Sequence, residues 1–281
     1  VLVWLVLAVT AAAGGLYAYW SKRVAVDKSV SPLPPRAPIW AWEKWLTATV
    51  LAMLAVCCLL PLAAVWLKAV SAGSSWAVLL EAQTWAAVWN TVRFSAAAVA
   101  AATVLGVLYA AAARQMAWLR ALMFLPFMVS PVCIAFGVLL LYPQWTASLW
   151  LLTATYALLA YPFVAKDVLA AWDGLPKDYA AAARTMGANG FQTACYVTAP
   201  LLKPALRRGL TLASATCIGE FAATLFLSRP EWQTLTTLIY DYLGRAGADN
   251  YGRAMVLTEV LTALALTAFL LVDEAEGQKA V

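Results

Sequence analysis

The sequence predicts an all-α, polytopic membrane protein: a six-span helical bundle with one further span before it. Hydrophobic residues make up 64% of the 281 residues and charged residues only 12%, which is more apolar surface than a soluble domain can bury. The apolar residues are gathered into runs of about 20 residues, the length that crosses a bilayer as a helix. Lys and Arg lie mainly between these runs, in the pattern that sets the orientation of membrane proteins.

The predicted spans follow one another along most of the chain. They are 1–20, 46–67, 88–112, 119–142, 147–165, 207–228 and 253–272. Four prolines between the first two spans, in 21–43, favour an extended linker between two units. The chain opens at Val1 inside an apolar run, which predicts a fragment of a longer protein. A signal peptide is the alternative for 1–20, but no basic residue precedes the run.

The basic residues assign the two sides of the membrane. With the 21–43 linker placed in the cytoplasm, alternation puts 14 of the 19 Lys and Arg residues in cytoplasmic segments, as the positive-inside rule expects. The other five lie on the opposite side or within spans: Lys68, Arg93, Arg229, Arg245 and Arg253. The segment 173–204 and the tail 273–281 are therefore predicted to be cytoplasmic.

The segment 178–204 has the pattern of two short helices separated by a glycine. Asp178 can cap the first, alanine-rich helix, because its carboxylate can accept a hydrogen bond from an N–H of the first turn. Gly187 predicts the end of that helix, since glycine adopts the left-handed conformation without steric cost. Asn189 can cap the second helix. Helical spacing then places four residues on one face of it: Phe191, Ala194, Cys195 and Thr198.

Two prolines, Pro200 and Pro204, are expected to close the segment. Two short helices at an angle, outside the bilayer on the basic side, form a compact docking element. Joined at Gly187, they can act as a rigid lever continuous with the span 207–228.

Two acidic residues within predicted spans need a reason, because a charge at mid-bilayer costs about 2.5–3.5 kcal/mol on insertion scales. Glu220 lies near the middle of the span 207–228, and Glu259 lies six residues into the last span. Both are candidates for an aqueous pathway. The alternative for each is a structural hydrogen bond to a neighbouring helix.

Several kinds of chemistry are excluded or disfavoured. The chain has no histidine, so imidazole catalysis and His-ligated metal sites are excluded. Its five cysteines contain no CxxC, and we assign them no redox or metal role. There is no G-x-x-x-x-G-K-[ST] motif, so no nucleotide site is expected on this chain. The basic residues do not gather on one face, which makes nucleic-acid binding improbable.

The segment 178–204 resembles the EAA loop of inner-membrane permeases of ATP-binding-cassette importers. The family pattern is E-A-A, three residues, G, nine residues, I-x-L-P. The corresponding residues here, with the same spacing throughout, are Ala181, Ala182, Ala183, Gly187, Val197, Ala199 and Pro200. Ala181 replaces the family's Glu, so the charged contact expected there is absent. Asp178, one turn earlier, is the candidate to replace it.

The resemblance covers roughly 40–272 of the chain. It includes three further stretches: Trp89 to Arg93, Tyr161 to Val164, and Gly219 to Phe221. Together these are similar to the thiamine and iron(III) branch, in which one chain often carries two permease halves. The resemblance implies a type I, MetI-like permease domain at 44–272 with its coupling loop at 173–204. It also implies that 1–20 is the last helix of an N-terminal half and 21–43 the linker between halves.

The partners and substrate follow from the same resemblance. It implies a non-catalytic transport subunit of a bacterial cytoplasmic membrane that works with a dimer of cytosolic ATPase subunits, which hold the ATP and Mg²⁺. This chain itself would carry no cofactor. A second permease half and a periplasmic or extracellular substrate-binding protein complete the expected assembly. The binding protein would face the outer loops 68–87 and 229–251. The leading substrates are thiamine and ferric iron, with sulfate, molybdate or a polyamine as alternatives.

Two other classes of protein stay as alternatives. One is an ion- or proton-coupled secondary transporter that uses Glu220 and Glu259, although such a protein does not need the helix–glycine–helix loop. The other is a membrane-embedded enzyme or sensor, which the lack of histidine and of a soluble domain disfavours.

Overall fold

The computed structural model describes residues 41–145 and 148–273, and every regular element in these ranges is helical. The predicted span 1–20, the linker as far as residue 40 and the tail from residue 274 lie outside the described residues. The linker was predicted to extend to residue 43, but the first described helix already includes Ala41. The last three residues of the predicted linker, 41–43, are therefore helical.

Five long helices form the body of the molecule. They are α1 (Ala41–Val70), α2 (Ala82–Gln115), α6 (Leu149–Gly174), α9 (Ala199–Ile218) and α12 (Ala248–Asp273). Seven shorter helices lie between them: α3 (Ala117–Leu122), α4 (Leu125–Met128), α5 (Pro131–Leu141), α7 (Lys177–Thr185), α8 (Gly190–Thr193), α10 (Ala222–Leu227) and α11 (Leu235–Gly244). A 3₁₀ segment, Gly73–Leu80, joins α1 to α2.

Four helices of the described part are long and apolar enough to cross a bilayer: Trp42–Val70, Ala82–Gln115, Leu149–Gly174 and Ala248–Val272. They contain or overlap the predicted spans 46–67, 88–112, 147–165 and 253–272. The other two spans were predicted as single helices, and this is wrong. The run 119–142 is divided into α3, α4 and α5, with Pro131 as the first residue of α5, because proline donates no backbone hydrogen bond and favours the first turn of a helix.

The run 207–228 is also divided. Helix α9 begins eight residues earlier, at Ala199, and ends at Ile218, and α10 begins at Ala222. The break between them contains Gly219 and Glu220. Glu220 therefore lies at a helix end rather than within a continuous span.

The core of the described part forms where α2 and α9 pack against α6. A Cβ atom built on Gly106 of α2 would lie 2.7 Å from Val164 Cβ, and one built on Gly209 of α9 would lie 2.7 Å from Val164 Cα. Both helices therefore approach α6 at the same residue, as small residues allow in membrane bundles. Two other glycines of apolar runs are not closely packed: Gly137 has no atom within 4 Å of a Cβ position, and Gly219 meets only Ala215 O of its own helix.

Candidate functional site

Helix α7, the first helix of the predicted docking element, begins without a side-chain cap. Its N-cap residue is Pro176, and no side chain caps the first turn. The prediction that Asp178 caps this helix is therefore wrong. Asp178 lies inside the first turn and is exposed, where a carboxylate still interacts favourably with the positive end of the helix dipole.

Gly187 ends helix α7 as the sequence predicts. Its φ of 87° is left-handed, a conformation that residues with a Cβ adopt only at a cost. The Gly187 N–H donates to Arg184 O at 3.0 Å and the Ala188 N–H donates to Ala183 O at 3.0 Å. This pair of hydrogen bonds is a Schellman motif, which satisfies the last carbonyl groups of the helix and turns the chain.

Asn189 caps the second helix, α8, through reciprocal hydrogen bonds. The Gln192 N–H donates to Asn189 Oδ1 at 2.8 Å, and the Asn189 N–H donates to Gln192 Oε1 at 2.9 Å. Such a capping box satisfies two backbone donors that have no partner within the helix. The turn between α7 and α8 is thus fixed from both sides.

The chain after α8 does not stop at the two prolines, which contradicts the prediction that they close the segment. A π-helical turn, Ala194–Thr198, continues directly into α9, and the Ala199 N–H donates to Ala194 O. Pro200 lies in the first turn of α9 and Pro204 lies inside it. Both prolines are accommodated within this helical run, although neither can donate a backbone hydrogen bond. The helical turns from Gly190 to Ile218 therefore form one continuous lever.

The predicted coupling residues divide between two faces of this element. Ala183 is buried and Val197 is half-buried, whereas the others are exposed: Asp178, Ala181, Ala182, Gly187, Phe191, Ala199 and Pro200. Phe191 exposes 78% of its surface. Two large neighbours that the sequence analysis did not single out are equally exposed, Met186 at 86% and Tyr196 at 79%. Large apolar residues in a segment predicted to lie in water were the signal that could have identified them.

Glu220, at the break between α9 and α10, is 8% exposed. Its Oε1 accepts a hydrogen bond from the Ala223 N–H at 3.1 Å, so the carboxylate serves the first turn of α10 as a cap does. The break also frees the main-chain carbonyl of Glu220. That carbonyl accepts hydrogen bonds from Thr236 Oγ1 at 3.0 Å and from the Tyr156 hydroxyl at 3.3 Å.

These contacts join Glu220 to α6 and α11. They favour the structural alternative for this residue, while a place in a pathway stays a prediction.

Glu259 lies elsewhere in the molecule, on α12. It is half-buried and lines a groove of about 430 Å³ between α12 and α1, opposite Trp66. Glu220 instead contacts α6 and α11 through its main-chain carbonyl. The two acidic residues thus have different surroundings in the bundle.

Asn90 and Thr91, in one of the stretches that carry the resemblance, hold the loop that precedes α11. Both are buried. Asn90 Nδ2 donates to Glu231 O at 3.1 Å and to Gln233 O at 2.9 Å. The Leu235 N–H donates to Thr91 Oγ1 at 2.9 Å. Residues about 140 positions apart are thereby held together by side-chain hydrogen bonds that sequence periodicity cannot reveal.

Two acidic residues of the outer loops, Glu81 and Asp249, are bound by neighbouring side chains. Arg253 Nη1 contacts Glu81 Oε1 at 2.6 Å, and Arg253 Nε contacts Asp249 Oδ2 at 2.8 Å. Ser75 Oγ donates to Asp249 Oδ1 at 2.8 Å. Burial raises the pKa of the Tyr242 hydroxyl, which stays protonated and donates to Glu81 Oε2 at 3.0 Å. This cluster joins the 3₁₀ segment, α11 and α12 at one end of the bundle.

Comparison with known proteins identifies one family. The model of the "binding-protein-dependent transport system inner membrane component" family matches residues 102–273, more than half of the chain. A Salmonella typhimurium protein, provisionally named a 2-aminoethylphosphonate transport system permease, is 27% identical over 196 residues, which are 66% of this chain and 73% of that protein. The sulfate transport system permease protein of Escherichia coli is 32% identical over 164 residues, 53% of this chain and 58% of that protein.

The fold is similar to that of a solved transporter. A chain of a bacterial alginate ABC transporter, determined in complex with an alginate pentasaccharide-bound periplasmic protein, superposes with a TM-score of 0.64. The match covers 83% of this chain and 94% of that chain at 17% sequence identity. At this identity the similarity concerns the fold alone.

Proposed function

The chain belongs to the family of binding-protein-dependent transport system inner membrane components, the permease subunits of ATP-binding-cassette importers, and we propose that it couples to its ATPase through the segment α7–α9. Like its relatives, it is a non-catalytic transport subunit of the inner membrane. This family membership leaves no basis for a self-sufficient secondary transporter driven by Glu220 and Glu259.

The observation that carries this proposal is the exposed apolar surface of the segment. Met186, Phe191 and Tyr196 project from an element whose backbone is held by the Schellman motif and the capping box. Burying one large apolar side chain contributes about 1.5–3 kcal/mol. A partner with a complementary groove would therefore gain binding free energy by covering these side chains. Because the helical turns run without a break from Gly190 to Ile218, movement of that partner would be transmitted into the membrane.

Charge substitution on this surface tests the docking role. In the full-length transporter complex, Phe191→Asp is expected to weaken binding of the ATPase subunit by about 10- to 100-fold and to uncouple ATP hydrolysis from transport. Phe191→Leu, which keeps an apolar side chain, is the matched control and should bind normally. Unchanged affinity and coupling in Phe191→Asp would show that this surface is not the docking site.

Ala194, on the helix face noted in the sequence, is less suited to this test, because it lines a cleft behind the exposed surface. Phe191 and Met186 are therefore the sharper probes.

The proposed assembly has three further parts. A substrate-binding protein would contact the outer loops 68–87 and 229–251, as the periplasmic protein in the alginate transporter complex supports by analogy. An N-terminal half or a second permease subunit would complete the membrane part, and two ATPase subunits would supply ATP and Mg²⁺. Exposed tryptophans at the start of α2, Trp85 and Trp89, provide aromatic surface near these loops.

For the substrate, we propose a small oxyanion rather than thiamine or ferric iron. The two relatives described above are named for 2-aminoethylphosphonate and sulfate. Three arginines of the outer half, Arg93, Arg229 and Arg245, each lie over an aromatic ring, and in the described ranges none has a carboxylate partner. Uncompensated positive charge of this kind favours an anion.

Uptake by the reconstituted full-length transporter tests the substrate. Labelled sulfate, molybdate and 2-aminoethylphosphonate should be compared with labelled thiamine and ferric iron, each with the cognate binding protein present. Transport of thiamine or iron without transport of any of the oxyanions would overturn the oxyanion proposal. It would support the substrate expected from the sequence.

A further inference from the structure

A cleft of about 510 Å³ lies behind the proposed docking surface, between the ends of α2 and α6 and the segment α7–α9. This volume is within the range of small-molecule sites. Its walls include two arginines, two aromatic rings and the start of α9: Arg114, Trp172, Tyr179, Arg184, Thr198 and Leu201. Arg114 comes from α2 and Arg184 from α7, so the cleft joins a membrane helix to the coupling segment.

The cleft carries uncompensated positive charge. None of the described residues that line it is acidic. The Arg114 guanidinium lies 4.7 Å from the centre of the Trp172 ring, and the only side-chain hydrogen bond that the described structure gives Arg184 runs from Nε to Ala180 O at 3.2 Å. Asp173, next to Trp172 in the chain, is not part of the cleft wall, and both of its carboxylate oxygens bind Arg120, at 2.6 and 3.2 Å.

The cleft is also at the depth of lipid headgroups. Helices α2 and α6 have 34 and 26 residues, which correspond to about 51 and 39 Å, while the hydrocarbon core is about 30 Å thick. Arg114 and Trp172 lie in the last turns of these helices, where a helix longer than the hydrocarbon core would extend into the headgroup region. Trp172 and the nearby Trp118 are aromatic residues of the kind that lie at the membrane interface.

We propose that this cleft binds the headgroup of an anionic phospholipid from the cytoplasmic leaflet, with its phosphate between Arg114 and Arg184. Basic pockets between membrane helices on this side of the bilayer are suited to such headgroups. The apolar part of the wall, formed by Trp172, Tyr179 and Leu201, would contact the glycerol and the first acyl carbons. The lipid would then bridge α2 and α7 and hold the coupling segment against the spans.

Lipid retention by the purified transporter complex tests this site directly. Phosphatidylglycerol bound to the detergent-solubilised complex would be titrated and counted by native mass spectrometry. Arg114→Gln combined with Arg184→Gln is expected to weaken the tightest phosphatidylglycerol site by roughly 30-fold, about fivefold for each arginine. Lys203→Gln, on the exposed face of α9 and outside the cleft wall, is the matched control and should retain the lipid.

Two comparisons keep the result decisive. Arg114→Lys combined with Arg184→Lys keeps both charges and should retain most of the phosphatidylglycerol, which separates charge from misfolding. In nanodiscs, the wild-type complex should couple ATP hydrolysis to transport better with phosphatidylglycerol than with phosphatidylcholine alone, and the Gln double variant should lose that difference. Unchanged lipid retention in the Gln double variant would overturn the proposal. If ATPase binding were weaker in that case, the cleft would instead serve the protein partner.

Discussion

At the scale of single residues, the closest contacts in the core are made by glycines. Gly106 and Gly209 bring α2 and α9 against the same residue of α6, Val164. At Gly209 the nearest atom to an added Cβ would be Val164 Cα, at 2.7 Å, and a backbone atom cannot move aside as the end of a side chain can. The approach of α9 to α6 therefore depends on the absence of a side chain at position 209.

Gly209→Ala is expected to destabilise the folded protein by about 1–3 kcal/mol, the usual cost of overpacking. Thermal unfolding of the detergent-solubilised protein, followed by size-exclusion chromatography, measures the effect as a lower Tm. Gly137→Ala is the control, because nothing lies within 4 Å of its added Cβ and alanine favours a helix. Equal Tm values for the two variants would contradict the packing described here.

At the scale of elements, the turn between α7 and α8 holds the coupling segment in one shape. The left-handed conformation of Gly187 and its hydrogen bond to Arg184 O end one helix, and the Asn189–Gln192 capping box begins the next. The direction of α7 relative to the continuous turns of α8 and α9 depends on these few backbone angles.

Gly187→Ala is expected to strain this turn by about 1–2 kcal/mol, because alanine disfavours the left-handed conformation. The strain should lower transport per ATP hydrolysed while leaving membrane insertion intact, which a coupled ATPase and transport assay can measure. Gly190→Ala serves as the control, since Gly190 has no positive φ and nothing within 4 Å of an added Cβ. Normal coupling in Gly187→Ala would show that the shape of this turn does not affect coupling.

The break between α9 and α10 allows a separate test of Glu220. Glu220→Gln keeps an oxygen acceptor for the Ala223 N–H and should preserve the Tm, whereas Glu220→Ala loses it and should destabilise by about 1 kcal/mol. If Glu220 acts only as a cap, Glu220→Gln should also transport normally. Impaired transport by a stable Glu220→Gln would instead support the predicted pathway role.

At the scale of the whole molecule, the described helices connect the proposed coupling surface to the predicted outer loops. The proposed coupling surface is at one end of the bundle, and the Arg253 cluster is among the predicted outer loops. Helix α9 runs from the first region to the break at Glu220, whose carbonyl is held by α6 and α11. A movement of the coupling segment would therefore reach the loop held by Asn90 and Thr91.

Uptake into proteoliposomes by the full-length complex is expected to require the ATPase subunits. ATP should be needed on the side of the membrane that carries the coupling segment. A ligand shifts a conformational equilibrium only through different affinities for its states, and in the proposed coupling that ligand is ATP bound to the partner ATPase. Imposed proton or sodium gradients should not replace ATP. Substrate accumulation without ATPase subunits would contradict the coupling proposal.

The sequence alone was sufficient to predict the class of protein, four of the spans and the local conformation of the Gly187 turn. These features depend on composition, on apolar runs and on residues within a few positions of one another. The divided helices near Pro131 and Glu220 were predicted as continuous, because an apolar run does not reveal where backbone hydrogen bonds stop.

Only the tertiary structure decided which residues meet across the chain. Val164 faces both Gly106 and Gly209, Asn90 and Thr91 hold the loop before α11, and Arg114 and Arg184 share one cleft. Each of these contacts joins helices distant in sequence, and its geometry depends on how the helices cross. The sequence by itself determined that the chain has apolar helices long enough to cross a membrane and a two-helix element between two apolar runs, while packing determined which residues of that element are exposed.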